Sequence, residues 1–492
     1  MHRLQKVYFR KAMQRKFITN IFLLLFLNLL VKPFWIFGID RTVQNTVGAE
    51  DYGLYFSLFS LSFLFNMLLD IGITNFNSRN IAQHPQLVSK HFSNIFLIRL
   101  LLGISYITIT FFTAWLLDYN QRQFHLLLFL GLNQFLLSFI LYLRSNITGL
   151  QYFKLDSFFS VLDRLIVIGI CSWLLWWQNS EIPFQIEWFA YAQTGAYFAS
   201  CLFIFLVSLK IVKNFKINFD FSFFRIIIKK GIPFALLTLL MTFYYRVDAV
   251  MIEQLLPDGK FQAGIYAQAF RILDALSIVG YLFAGLLLPM FAKLIKEKKS
   301  VEGLVNISSR ILLYFAITMA IILSINSKSI MELLYNITDA SSSTILIYLM
   351  GSFIAVAVSY IFGTLLTANG NLKQLNLLAL GGVTLNITLN YFLIQHYNAI
   401  GAAIASCITL IVIAILQIMI VQSKFQFDLN IRLISLFVLF SGILVIVSFF
   451  IYQQYFNPAI TIMLSLIISI AIALLIKCIN IKQIITIYKQ AS

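Results

Sequence analysis

The sequence is short of the residues that enzymes use most. Its 492 residues include only 5 His and 4 Cys, and 19 Asp and Glu stand against 36 Lys and Arg. Cys171, Cys201, Cys407 and Cys478 lie inside or at the edge of apolar runs. No two of them share metal-ligand or redox spacing, so they read as small packing residues. The histidines are scattered and form no site. No phosphate-loop lysine, HExxH or Cys-metal pattern occurs, which excludes ATP hydrolysis by the usual loop and zinc-dependent hydrolysis. No catalytic residue, metal or cofactor is therefore expected.

What the chain has instead is apolar length. It is 60% hydrophobic and 16% aromatic, with a mean hydropathy of +0.88, whereas a soluble domain is about 45–50% apolar. A bilayer accommodates such a chain, and a spanning helix needs about 20 apolar residues. Runs of that kind fall near 17–38, 53–75, 92–117, 124–147, 157–178, 187–209, 231–253, 262–291, 304–326, 344–368, 375–396, 399–422, 431–453 and 458–478. The expected fold is an all-α integral membrane protein with these fourteen transmembrane helices.

The basic surplus, a formal net charge of +17, finds its place in this arrangement. With a cytoplasmic N-terminus, most Lys and Arg fall in cytoplasmic segments: MHRLQKVYFRKAMQRK, 210–230, 293–299 and the tail. The opposite loops hold only Arg41, Arg122, Lys260 and Lys328, alongside Asp40, Glu50, Asp51, Glu181 and Glu187. That asymmetry follows the positive-inside rule and puts both termini in the cytoplasm. The basic residues punctuate apolar runs and form no single face, which argues against nucleic acid as a partner. The first apolar run is too long for a cleaved signal peptide, and no small-residue cleavage site follows it. The outer loops are too short to house a domain, so the activity is expected within the bilayer.

The two halves are alike. "GIDRTVQNTVGAEDYGLYFSLF" is echoed by "YRVDAVMIEQLLPDGKFQAGIYAQAF", so that Asp40 and Gly53 answer Asp248 and Gly264. More weakly, "RSNITGLQYFKLDSFF" is echoed by "LTANGNLKQLNLL". The copies begin at the first and seventh spans, which predicts a parallel repeat of six-span lobes with the site between the halves near the midplane, a transporter architecture. The expected organisation is a basic N-terminus at 1–16, lobes at 17–212 and 231–422, and a cytoplasmic linker at 213–230. Two further spans at 431–478 and a cytoplasmic tail at 479–492 complete it.

Charges inside the spans carry the functional expectation. They are Lys32, Arg99, Arg164, Arg246, Arg271 and Arg310, with Asp70, Asp163, Asp248 and Asp274. A charge at mid-bilayer costs about 2.5–3.5 kcal/mol on insertion scales, so each should face a partner or a wet cavity. At about 1.5 Å of rise per residue, Lys32 and Arg246 lie about 22 Å from the inner boundary and Arg271 about 14 Å below the outer one. A surplus of cations at that depth suits an anion, above all a phosphate or pyrophosphate, which guanidinium binds bidentately. Lys32, Arg246 and Arg271 are thus the substrate-binding candidates. Pro33 is expected to kink the first span and shape the cavity wall. Asp248 and Asp274 are ion-pair or coupling candidates: Arg271 and Asp274, three apart, can touch, and Asp248 could take a coupling cation. Asp70, Arg79, Arg99, Asp163 and Arg164 gather toward the inner end. Arg99 and Arg310 are expected to snorkel, and Asp163 and Arg164 to pair with neighbouring spans.

Three stretches resemble signatures of the oligosaccharide flippases (polysaccharide exporters, Wzx type) of the multidrug/oligosaccharidyl-lipid/polysaccharide (MOP) exporter superfamily. They are "VGAEDYGLYFSLFSLSFLFNMLLDIGITNFNSRNIA", "YYRVDAVMIEQLLPDGKFQAGIYAQAFRILDAL...LLPMFAKL" and "NLLALGGVTLNITLNYFLIQHYNAIGAAIASCIT". Their order and spacing over most of residues 17 to 422 make the match specific. The resemblance implies two six-helix lobes around a central cavity, two extra C-terminal helices, and alternating access. It implies movement of an undecaprenyl-pyrophosphate-linked glycan from the cytoplasmic to the outer leaflet of a bacterial inner membrane. Membrane lipids and the polymerase and glycosyltransferases of an O-antigen or capsule pathway are the partners that go with such a role. Lys32 and Arg271 match the family's cationic cavity positions on the first and eighth spans, with lysine where arginine is frequent. Asp70 and Arg79 match its D-x-G...R, an inner gate or structural pair, and Asp163 and Arg164 are gate candidates beside them.

Two rivals remain in view. A drug or organic-cation exporter of the same superfamily would need acidic or aromatic cavity walls, which the basic surplus opposes. A membrane-embedded polymerase or acyltransferase would call for paired acids, a histidine or a long outer loop, and the sequence supplies none.

Overall fold

The computed structural model describes residues 27–28, 30–84, 86, 88–177, 183–212, 221–427, 431–454 and 457–476, and no strand occurs among them. The α-helices are α1 (Arg41–Leu64), α2 (Ile73–Gln83), α3 (Val88–Leu116), α4 (Gln121–Gly149), α5 (Phe153–Ser172), α6 (Ile186–Val212) and α7 (Phe221–Leu255). They continue as α8 (Gly259–Lys296), α9 (Glu302–Ile325), α10 (Ser327–Leu334), α11 (Ala340–Ala368), α12 (Leu372–Phe425), α13 (Ile431–Gln454) and α14 (Pro458–Leu475). Most are apolar on every side: α6, for example, exposes Phe198, Leu202, Phe203 and Leu206. A helix without a polar face belongs in lipid.

Among the described residues, 11 helices are long and apolar enough to cross a membrane. One of them, α12, runs 54 residues and leaves helical geometry at Asn398 (φ 52°, ψ −138°). The chain reverses there, because a Cβ on Gly401 would lie 2.1 Å from the carbonyl oxygen of Leu393, a separation that a straight helix would stretch to about 12 Å. The helix α12 thus supplies two crossings, at the two arms expected from sequence. The second span lies in α1, and of the first only the part from residue 27 is described. With α12 counted as two crossings, twelve of the fourteen expected spans are found among the described residues as long apolar helices.

The first outer connection differs from expectation. In place of a loop at 39–52, helix continues through a π-helical turn at Trp35–Asp40 into α1 and breaks only at Gly48 (φ 83°, ψ 173°). That left-handed φ requires glycine. Pro33 itself sits in regular helix, and the disturbance falls one turn later, where Arg41 N–H bonds to the Ile36 carbonyl. The second span also ends early. After α1 come a short 3₁₀ turn at Asn66–Leu69, Ile71 at φ 45° and Gly72 at φ 77°. The Asp70 carboxylate then accepts from Thr74 N–H at 3.1 Å and starts α2, as Asx residues do at helix starts.

The chain divides into two compact units, Met1–Thr242 and Phe243–Ser492, the division falling inside α7. In the first unit, α4 is tied on all sides by polar contacts. Asn66 donates to Gln134 at 2.6 Å, Asn77 to Ser145 at 2.7 Å, Tyr142 to the Phe92 carbonyl at 2.6 Å and Thr194 to Asn133 at 2.7 Å. Such bonds join helices where lipid supplies no hydrophobic drive. In the second unit, α13 and α14 pack Phe437, Phe440, Leu444, Ile472 and Ala473 against Ile317 of α9. Thr461 locks the seam by donating to Asn326 at 2.7 Å.

The repeat appears as one motif seen twice. Tyr52 donates to Asp40 at 2.7 Å, and Tyr266 donates to Asp248 at 2.7 Å. Aligning Gly53 with Gly264 sets Tyr55 opposite Tyr266, yet Tyr52, one turn earlier, makes the bond. Tyr55 instead receives from Gln193 at 2.9 Å. The shorter connection of the first half brings an earlier tyrosine level with its aspartate.

Candidate functional site

Three of the sequence-derived candidates meet in the second unit. Arg246 of α7 sends Nη2 to both oxygens of Asp274 of α8, 3.1 Å each, and its guanidinium lies 4.9 Å over the ring of Phe270. Arg271 Nη1 stands 3.7 Å from Asp274 Oδ2, beyond hydrogen-bond range but in ion-pair range. Arg246 and Arg271 side chains are each 12% exposed and Asp274 is 18% exposed. Two cations therefore share one carboxylate in a mostly buried place. Arg271 and Asp274 were expected to touch. That Arg246 holds the acid more closely was invisible in one dimension, because it comes from another helix.

Asp248 is placed apart from this cluster. It is 1% exposed and accepts from Tyr266 at 2.7 Å, from Asn390 Nδ2 at 2.7 Å and from Ser406 Oγ. No described cation pairs with it. Beside it, Asn386 Nδ2 and Asn390 Oδ1 are buried without a hydrogen-bond partner. A carboxylate, two amides and two hydroxyls from α7, α8 and the two arms of α12 thus converge. Oxygen-rich sets of this kind suit a proton or a hard cation. Asn386, Asn390 and Ser406 were missed. The signal was polar residues four apart on an apolar run, in "NITLN". Among the described residues, no three His, Cys, Asp or Glu side chains converge on a point.

In the first unit, Lys32 lies within electrostatic reach of Arg164, Asp163 and Arg144. Arg164 of α5 lies 5.3 Å over the ring of Trp35 and donates Nη1 to the Tyr197 hydroxyl of α6. Trp35 is stacked on Phe189 at 5.6 Å and 10°. Asp163 Oδ2 is 3.8 Å from Arg164 Nε. Asp163 and Arg164 therefore keep company with Lys32, three residues before Trp35, and not with Asp70 as expected from sequence.

Asp70 pairs instead with Arg99 of α3. Arg99 is 1% exposed, so it does not snorkel. It donates to the Leu69 carbonyl at 2.8 Å, to Ser138 at 2.5 Å, to Thr74 at 2.6 Å and to Asp70. The side chain of Arg79 lies outside the described residues. Arg310 is half-buried on α9.

A family model described as polysaccharide biosynthesis protein matches residues 17–295. The chain belongs to this polysaccharide biosynthesis family. No curated protein sequence matches the chain significantly. Its fold is similar to that of MurJ, a lipid II flippase in an inward-closed conformation, with a TM-score of 0.69 at 17% identity, covering 93% of this chain and 99% of the other. It is also similar to an inward-facing multidrug-resistance MATE transporter of the MOP superfamily, with a TM-score of 0.62 at 14% identity over 80% of this chain and 94% of the other. A MOP transporter from Pyrococcus furiosus, reported with a binding pocket of reverse polarity, gives 0.59 at 15% identity over 83% and 94%. Identities this low speak to the fold alone. The resemblance drawn from the three sequence stretches is thereby borne out in family and fold: the chain belongs to a polysaccharide biosynthesis family, has the fold of MOP-superfamily proteins and spans the membrane many times.

Proposed function

We propose that the protein moves a polyprenyl-(pyro)phosphate-linked oligosaccharide from the cytoplasmic to the outer leaflet of a bacterial inner membrane, by alternating access, in the building of a cell-surface polysaccharide. The observation that carries this reading is Arg246 and Arg271 sharing the single carboxylate of Asp274 while each is 12% exposed. Charges kept at such depth are functional by default, and two guanidinium groups gather on one carboxylate in this set. A phosphorylated headgroup supplies the complement, and a guanidinium binds it at two oxygens. The glycan-linked substrate agrees with membership of a polysaccharide biosynthesis family.

Asp248 is the place where an ion gradient would be read, since its carboxylate has three hydrogen-bond donors and no cation. Both termini are assigned to the cytoplasm by the loop charges, and Asp70 with Arg79 stays the candidate inner gate. The polymerase and glycosyltransferases of the same pathway are the expected partners.

The experiment is genetic and chemical. Deletion is expected to trap lipid-linked repeat units in the inner leaflet, and Arg271→Ala at wild-type abundance is expected to leave them there. Normal export by Arg271→Ala would overturn the cationic-site reading. Unpolymerised units accumulating in the outer leaflet after deletion would assign the protein to polymerisation instead.

A further inference from the structure

We propose that the second unit holds a sugar-binding subsite beside its cation cluster, in which the exposed ring of Tyr281, with Tyr245 and Tyr360 close by, takes a pyranose face of the lipid-linked glycan. The proposal rests on the function given above and names the part of the substrate that these residues meet.

Three helices bring the tyrosines together. Tyr245 of α7 shares a hydrogen bond with Ser277 of α8 at 3.2 Å, and its ring meets Phe270 edge-on at 5.7 Å. Tyr360 of α11 lies against the backbone of α8 at Gly280, where a Cβ would stand 2.3 Å from the tyrosine's Cδ2. Glycine at 280 is what permits that close approach. Tyr360 is within electrostatic reach of Tyr245, Asp274 and Tyr281. The tyrosines therefore adjoin the acid that Arg246 and Arg271 share.

Tyr281 is unlike the structural tyrosines of this chain. Tyr106 and Tyr142 are fully buried and donate to the carbonyls of Ser62 and Phe92 at 2.8 Å and 2.6 Å. Tyr281 is 68% exposed, and its hydroxyl has no hydrogen bond among the described residues. Tyrosines are common in the interfacial belts of membrane proteins, where the hydroxyl finds water. Tyr281, however, stands twelve residues before Lys293, about 18 Å from the inner end of the span. Facing lipid at that depth, its hydroxyl would be left unsatisfied. Seven residues from Asp274, nearly two turns, it falls on the same stripe of α8 as that acid. One turn further along, a Cβ at Gly285 would meet nothing within 4 Å. The ring thus opens on free space along the charged face of the helix.

A ring of this kind offers a negative π face and a hydroxyl at its edge. A pyranose is the complement, with C–H groups on its face and hydroxyls around its rim. A prenyl chain would cover the ring but leave the hydroxyl unmatched. Tyr281 lies about 10 Å along α8 from Asp274, so a phosphate held at the arginines leaves the attached sugars within reach of it.

The test uses the full-length protein in lipid nanodiscs with geraniol, geranyl pyrophosphate and the glucosyl ester of geranyl pyrophosphate as probes. Wild type is expected to bind the glucosyl ester about fivefold more tightly than geranyl pyrophosphate, the gain from one aromatic contact. Tyr281→Leu, at an exposed position that tolerates it, should remove that preference. Tyr281→Phe keeps the ring and should retain most of it. Arg271→Ala should weaken both phosphate probes alike and leave the preference in place. A preference that survives in Tyr281→Leu would overturn the proposal. Equal weakening of both probes by Tyr281→Leu would give the ring to the prenyl chain and overturn it as well. Wild type binding the two phosphate probes alike, while preferring both to geraniol, would overturn the subsite and leave the function standing. No preference for geranyl pyrophosphate over geraniol would overturn both.

Discussion

Arg99 and Asp70 form an ion pair whose guanidinium is buried to 1% exposure while the carboxylate keeps 26%. The arginine also ties the last turn before Asp70 to α4 through the Leu69 carbonyl and Ser138. Removing the carboxylate leaves a buried cation with neutral acceptors only. Asp70→Asn is expected to destabilise the protein by about 3 kcal/mol, the low end for breaking a buried pair because Asp70 is partly wet. Adding Arg99→Met to Asp70→Asn should recover part of that loss. Thermal melts of the two single variants and the double variant check it; strictly additive effects would show that the pair is not coupled.

How far the sequence reveals this molecule depends on whether a feature is periodic or pairwise. Lipid forces long apolar runs, so the spans were readable, including the reversal between 396 and 399. The helical path through Trp35–Asp40 and Gly48 was not, because polar residues in "DRTVQNTVGAED" look like a loop when neighbouring helices are unseen. Buried charge was also legible, since Lys32, Arg246, Arg271 and Asp248 interrupt apolar runs. The partners of those charges were not. Arg99 reaches Asp70 from 29 residues away and Asp248 meets Ser406 from 158, and neither pairing leaves a local spacing to find.

Asp274 sets the charge of the second-unit cluster, so its neutralisation is informative. Asp274→Asn keeps the shape and one of the two acceptor oxygens but raises the local charge by one. The variant is expected to bind geranyl pyrophosphate more tightly, by about threefold to tenfold, as expected for an interaction of about 1 kcal/mol between partly buried charges. Export should fall, because a headgroup held harder leaves more slowly. Affinity from titration and flux from a vesicle assay separate the two; weaker binding would mean that Asp274 orients the arginines more than it competes for them.

Asp248 permits the energy source to be tested without touching the cationic residues. Asn at this position can still accept from Tyr266 and Ser406 at its one oxygen, and a flip of the Asn390 amide presents its unpartnered Oδ1 to the new NH2, so Asp248→Asn is expected to fold and to keep the affinity of wild type for the pyrophosphate probe. It cannot change charge. Flux that rises with an imposed proton or sodium gradient in wild type should become indifferent to that gradient in the variant. A variant that still responds would move the coupling site elsewhere.

Gly231 of α7 marks a place where backbone touches backbone. A Cβ there would lie 2.1 Å from the carbonyl oxygen of Ile71. Ile71 and Gly72 hold left-handed φ values of 45° and 77°, and Asp70 anchors the same turn to Arg99, so the carbonyl has little freedom to swing away. Alanine at 231 must therefore push the start of α7 off the turn that joins α1 to α2. Gly231→Ala is expected to cost about 1–3 kcal/mol, as overpacking does. It should also speed hydrogen exchange at Ile71, Gly72 and Ile73 more than elsewhere. Gly285 of α8 is the matching control, since a Cβ there would meet nothing within 4 Å. Gly285→Ala removes only the entropic penalty of a helical glycine and should be neutral or stabilising by up to about 1 kcal/mol. Equal melting temperatures for the two variants would show that α7 does not depend on this contact.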